Sequence, residues 1–253
     1  MGLKMIWKKL RQFFSRHLIF PAASFYWRHT HPEIINRDGG TQFKIDPEVV
    51  PYYLANPRKF RRLLPVFDYY VHKNTRVLDV GASFGFYSIY CSKVREARVI
   101  AFEPTRQSYA LLQDNIRLNS VKTIETYNYA VGRQREKAKL YYGKNCHGGN
   151  SLLGKGSNYE IVEVVPLDSV VEHADFVKID VEGAEYEVLM GMSKLLSTSK
   201  PVLLFEVSRD AERIKSYLQS FGYEVVHTIG HNLVAVHEKD KDSVEGLKNI
   251  CRP

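Results

Sequence analysis

A chain of 253 residues with a net charge of +8 has room for one sizeable core, and its ordinary apolar and charged fractions exclude a fibrous or disordered protein. The charge is lopsided: residues 1–76 hold 14 Lys and Arg against 5 Asp and Glu, and the remaining 177 hold 22 against 23. Three scattered cysteines (Cys91, Cys146 and Cys251) lack paired spacing, which argues against a disulfide framework or a thiolate zinc site and fits a reducing, cytoplasmic setting; no apolar run approaches the ~20 residues of a bilayer span.

The first twenty residues, "MGLKMIWKKLRQFFSRHLIF", place Leu3, Ile6, Trp7, Leu10, Phe13, Phe14 and Leu18 at helical spacing with Lys and Arg between them, and no acid precedes Glu33. Two readings stand. A basic amphipathic helix with a tryptophan suits peripheral contact with the anionic inner face of a membrane. An apolar stripe also suits packing on the domain behind it. The segment makes a poor secretory signal, and without a recognisable binding motif no specific nucleic-acid partner is expected.

Residues 28–50 read as an irregular connector punctuated by Pro32, Gly39, Gly40 and Pro47. Residues 51–71 read as one or two short helices interrupted at Pro57 and Pro65. From Thr75 short apolar runs alternate with helical patterns: 76–81, 98–104, 124–132, 175–181, 201–207, 223–229 and 233–239. Near-continuous Val, Ile and Leu runs joined through helices predict a doubly wound α/β, Rossmann-like fold with a seven-stranded, mostly parallel sheet. Only "GHN" (230–232) separates the last two runs, so they pair as an antiparallel C-terminal hairpin. The interval 133–166 departs from the alternation, with "EKAKLYYG" and "YEIVEVVPL" as two extra strands around a loop rich in Gly, Ser and Asn. The expected units are a basic helix and connector (1–50), the main domain with its helical lead-in (51–240) and a polar tail (241–253).

In such sheets the ligand lies beyond the carboxyl ends of the strands, at the switch in strand order. The first strand runs into "LDVGASFGFYSI" (78–89), where Gly81 and Gly85 permit close backbone approach and a helix starting near Phe84 presents N–H groups to an anion. Asp79 beside that turn repels a pyrophosphate and attracts an ammonium. Glu103 ends the second strand, 24 residues on, where a carboxylate accepts the hydroxyls of a ribose. A ligand with carboxylate, ammonium and ribose is an amino acid joined to a nucleoside, which describes S-adenosylmethionine.

The chain here resembles the class I S-adenosylmethionine-dependent methyltransferases, and among them the FkbM family. The resemblance runs from about Val77 to Val207 and rests on "VLDVGASFGFYSI", "VIAFEPTRQSYALLQDNIRLN", "YNYAVG", "PLDSV", "DFVKIDVEGAEYEVLMGM" and "LLFEV". It implies a methyltransferase fold whose members methylate hydroxyl or carboxyl groups of polyketides, sugars and related metabolites. It further implies that Asp79, Gly81, Ala82, Ser83 and Gly85 hold the methionine part and Glu103 the ribose. Asn128, Ala130 and Val131 would border the adenine, although Asn128 and Tyr129 equally suit strand positions facing the neighbouring sheet. The acceptor would be a small molecule or glycan bound by the N-terminal region and the 133–166 insert.

The run "DFVKIDVEGAEYEVL" supplies the acids for the chemistry. Asp180 follows the strand expected beside the first one and is read either as the acceptor-side base or as the residue fixing the methionine ammonium. Glu182, two positions on, shares its face. Glu185 and Glu187 read as acids in the first turn of a helix, favoured by its dipole. Glu206 borders the same cleft. His147, in the loop "NCHGGNS", is the other candidate base, or an idle surface histidine. Asp180, Glu182 and Glu206 are hard oxygen ligands of the kind magnesium takes, but the ligand set is incomplete and no metal is expected. A second class of function stands beside the enzyme: a non-catalytic Rossmann-like binding or scaffold module recruited through its basic N-terminus.

Overall fold

Strand pairing in the computed structural model yields three sheets, over the residues it describes: 34–37, 40–45, 61–143, 150–207 and 209–243. The largest has seven strands. In chain order its parallel members are β3 (Arg76–Val80), β4 (Arg98–Phe102), β5 (Ile124–Tyr127), β9 (Phe176–Ile179) and β10 (Val202–Glu206); β11 (Tyr223–Ile229) and β12 (Asn232–His237) complete it. The order across the sheet is β11-β12-β10-β9-β3-β4-β5, with β12 antiparallel to both β10 and β11. The chain therefore has the mostly parallel, doubly wound sheet and antiparallel terminal hairpin expected from its apolar runs. The switch in strand order falls between β3 and β9, which places any ligand beyond the ends of those two strands.

Both faces of the sheet are covered, which is why its central strands are apolar on alternate and intervening positions alike. One face packs Val77, Val99, Phe176, Leu204 and Val234 under α1 (Leu64–Tyr70) and α2 (Phe86–Arg95). The other packs Leu78, Val80, Phe102, Val177, Ile179, Leu203 and Phe205. Its cover is α4 (Glu185–Met190), α5 (Ser193–Thr198) and α6 (Ala211–Gln219). The remaining helix, α3 (Arg106–Leu118), buries Leu112 in the first of these cores.

Residue 61 is helical, residues 62–63 turn, and Pro65 sits at the start of α1, where its fixed φ and missing N–H cost nothing. Two segments differ from the sequence reading. The connector contains a hairpin, β1 (Ile34–Arg37) with β2 (Thr41–Lys44), turning at Gly40 with φ +69°. Its anchor is side-chain chemistry: Asn115 on α3 and Asn119, the residue capping its C-terminus, bind the β2 backbone. Asn115 accepts from the Lys44 N–H at 2.6 Å and donates to the Lys44 carbonyl at 2.9 Å; Asn119 does the same for Gln42 at 2.9 and 2.6 Å. Finally, the run 124–132 divides between two sheets. Its end, β6 (Ala130–Val131), leaves the large sheet and joins β7 (Glu136–Tyr141) and β8 (Tyr159–Val165) in the order β6-β8-β7, so the two extra strands of the insert have a third partner. The basic stretch 1–20 and His147 lie outside the described residues.

Candidate active site

Register places a buried ion pair beneath the glycine turn. Asp79 of β3 lies opposite Lys178 of β9, and both side chains take the face that also holds Val77 and Phe176. Lys178 Nζ donates to Asp79 Oδ1 at 3.0 Å and to the Gly81 carbonyl at 3.0 Å, while Ser88 donates to Asp79 Oδ2 at 2.6 Å. The two side chains are 5% and 1% exposed. Burial works against the Lys178 charge, but the charges of Asp79 and Asp180 and the bond to Asp79 outweigh it and hold the ammonium above its ordinary value. The ammonium that Asp79 attracts is thus one supplied by its own chain. Sequence reasoning passed over Lys178, although a lysine inside an apolar parallel strand, two positions before Asp180, was the signal.

The turn itself alternates left-handed residues: Gly81 at φ +78°, Ser83 at +53° and Gly85 at +92°. The glycines answer to the protein rather than to a ligand. A Cβ on Gly81 would stand 1.9 Å from the Asp180 carbonyl oxygen, and one on Gly85 would stand 2.5 Å from a Leu112 methyl. The N–H groups of Gly81 and Ala82 both donate to the Phe102 carbonyl, tying the turn to the end of β4. There Glu103 is buried; its Oε2 accepts from the Ser83 N–H at 2.8 Å, and its Oε1 accepts from the Thr105 N–H at 3.0 Å and hydroxyl at 2.7 Å. Burial pushes the Glu103 carboxyl above its ordinary value, against those hydrogen bonds.

Beyond these strand ends opens a cavity of about 370 Å³, within the range of small-molecule sites. Of the residues expected there, Gly81, Ala82, Ser83, Glu103, Ala130, Val131, Asp180, Glu182 and Glu206 line it. Three are placed otherwise. Asp79 and Gly85 stand behind the wall. The Asn128 amide donates to the carbonyls of Glu103 and Pro104, both at 2.9 Å, so it holds the loop after β4. Tyr129 lines the cavity too, and so do Lys178, Tyr87, Arg62 and His231, which the sequence did not single out; Arg62, just before α1, and His231, in the turn before β12, reach it only through the tertiary fold. The Asp180–Gly183 turn includes Glu182 at φ +53° and Gly183 at φ +103°, and the Glu182 carbonyl accepts from the Ser151 hydroxyl of the insert at 2.7 Å. Glu185 is not solvated as a helix-start acid would be. It is 1% exposed, with Oε1 accepting from the Gly183 N–H at 2.9 Å and Oε2 unpartnered. Among the described residues no group of three or more His, Cys, Asp or Glu is placed to hold a metal, and no helix is long and apolar enough to cross a membrane.

Comparison with known proteins finds methyltransferases. The chain is 26% identical over 193 residues to Methyltransferase sdnD of Sordaria araneosa, covering 60% of this chain and 74% of that one. It is 23% identical over 179 residues to Methyltransferase 1 of Beauveria bassiana, covering 59% and 72%. A solved structure of methyltransferase FkbM from Methylobacillus flagellatus is 18% identical with a TM-score of 0.49; the match covers 76% of this chain and 54% of that one, so this chain spans about half its length. The methyltransferase FkbM domain matches residues 79–225, from the acid before the glycine turn into β11, and the chain belongs to that family of methyltransferases.

Proposed function

We propose that the chain is an S-adenosylmethionine-dependent O-methyltransferase acting on a hydroxyl, or a carboxyl, of a glycan, glycolipid or secondary metabolite. The observation that carries this reading is a single cavity lined at once by the Gly81–Ser83 turn, by Glu103 and by Asp180. The donor set fits the cofactor. Glu103 Oε2 takes one hydrogen bond from the chain and so keeps acceptor capacity for a ribose hydroxyl. Phe102, Ala130 and Val131 offer apolar wall for a flat base. When bound, S-adenosylmethionine supplies an electrophilic methyl group on a sulfonium.

The chain's own part is alignment and proton removal. Lys178, Asp79 and Ser88 fix the turn from below, and Glu103 fixes it from the side through Ser83. Asp180 and Glu182 are the carboxylates at the end of β9. Asp180 stands 3.8 Å from Lys178, whereas Glu182 is exposed on the cavity wall. Glu182 is therefore assigned the acceptor's proton, with Glu206 and His231 bordering the acceptor.

Calorimetry with S-adenosylmethionine tests the cofactor, and a screen of labelled-methyl transfer to glycolipid, glycan and small-metabolite fractions tests the acceptor. Absence of binding at millimolar cofactor, with and without those fractions, would sink the reading. Glu182→Gln is expected to lower turnover by roughly 10²- to 10⁴-fold with cofactor affinity unchanged. An equal loss in affinity would remove its role as base.

A further inference from the structure

Among the described residues the exposed large hydrophobic side chains are Leu153, Tyr159 and Ile161, at 45%, 40% and 51%, and all three belong to the 133–166 insert. Strand alternation accounts for two of them. Ala138, Leu140, Val162 and Val164 of β7 and β8 turn inward and pack with Ala130. The intervening pairs take the outer face: Lys137 with Glu163, Lys139 with Ile161 and Tyr141 with Tyr159. The rings of Tyr141 and Tyr159 are 5.7 Å apart, and Lys139 Nζ stands 4.3 Å from the centre of the Tyr159 ring. Leu153 follows closely on Ser151, which bridges to Tyr141 at the edge of the same sheet.

Single exposed apolar residues are ordinary, but residues gathered on one sheet face mark a contact. Charge says of which kind. Glu136 and Glu160 fall on the inner face by alternation, so the outer face sets Lys137 and Lys139 against Glu163 alone. Arg133, Arg135 and Lys155, exposed in the links beside these strands, add further positive charge. Lysine is depleted at protein–protein interfaces. Lysine and tyrosine, each with an apolar body and a polar tip, instead suit the headgroup zone of a bilayer. We propose that the outer face of the insert docks on an anionic membrane surface. Leu153, Tyr159 and Ile161 enter the headgroup–acyl boundary, and the lysines meet lipid phosphates. The same insert serves the cavity from within: Leu140 and Leu152 line it, and the Ser151 hydroxyl donates to the Glu182 carbonyl. One small sheet thus joins the bilayer to the wall of the candidate site. This surface is distinct from the basic stretch 1–20 and does not rest on the methyl-transfer reading.

The test is flotation of the full chain with vesicles of phosphatidylcholine, alone or mixed with phosphatidylglycerol, and hydrogen exchange on the bound protein. The parent is expected to bind the mixed vesicles only, with exchange slowed across residues 153–161. Leu153→Ser, Tyr159→Ser and Ile161→Ser together should lower the partition coefficient ~10- to 100-fold. Lys137→Gln with Lys139→Gln should lower it roughly 10- to 30-fold at low salt and less at high salt. Failure of the parent to bind, equal binding to neutral vesicles, or slowed exchange confined to residues 1–20 would each overturn the proposal. Undiminished binding by the folded triple variant would do the same. Dimers of the parent in light scattering that the triple variant loses, without vesicle binding, would assign the face to a second copy and overturn the membrane reading. The exchange measurement uses the parent alone, so it decides the matter even if a variant does not fold.

Discussion

Glu185 shows how a single carboxylate can be read wrongly from its position in a motif. Standing first in α4 it looks like a solvated helix-start acid, yet it is buried, with one oxygen on the Gly183 N–H and the other unpartnered. Burial raises its pKa above the ordinary 4.5, and the charges of Asp180 and Glu182 push the same way, against the backbone hydrogen bonds that lower it. A carboxyl raised in the folded state binds more protons folded than unfolded, so stability falls as pH climbs from that ordinary value through the folded one and stays lower above it. Glu185→Gln removes the titration. The variant's melting temperature relative to the parent is expected to rise as pH climbs above that ordinary value and to level off once the folded carboxyl has lost its proton, as followed by thermal unfolding in matched buffers. A difference that does not vary with pH would mean that Glu185 is not the group responsible. The motif gave no warning, because Glu185 and Glu187 differ in burial only through the side of α4 that faces the sheet.

At the level of elements, the site is a junction held together by backbone and amide groups. The turn after β3 presses on the turn after β9 at Gly81, where a Cβ would meet a main-chain oxygen that cannot move aside. Gly81→Ala combines that clash with a left-handed backbone, and a loss of more than about 2 kcal/mol is expected in urea denaturation. Unchanged stability would show that the two turns can separate freely. A second junction runs through α3. Asn115, fully buried, donates to the Phe84 carbonyl at 2.8 Å as well as binding Lys44, so one amide joins the β1–β2 hairpin to the turn that lines the cavity. Asn115→Ala should cost about 2–3 kcal/mol, at roughly 1 kcal/mol for each of its bonds. It should also speed hydrogen exchange at β2 more than at β3; uniform acceleration would argue against a local anchor. Neither junction was legible beforehand, since a glycine or asparagine carries no sign of the distant backbone it meets.

On the scale of the whole chain, the uneven charge yields a test independent of the site. The excess of Lys and Arg before residue 77 is expected to make the chain co-sediment with anionic vesicles, and deleting residues 1–20 should reduce that binding. Unchanged partitioning would favour packing of that stretch on the domain instead. The seven strands, their order of direction and the acids at their ends could be read from the sequence alone, because apolar runs, crossover lengths and a three-residue hairpin link are local patterns that the sheet geometry must obey. Glu103 and Asp180 follow directly on recognisable strands for the same reason, and Asp79 stands one residue before the end of its own. Tertiary structure alone decided what those acids touch. The register of β3 against β9 sets Lys178 on Asp79, and the packing of α4 buries Glu185. The insert, α1 and the terminal hairpin bring Leu140, Arg62 and His231 to the cavity from distant parts of the chain. Periodicity reports which face a side chain takes; only the pairing of strands and the packing of helices determines which charge it meets there.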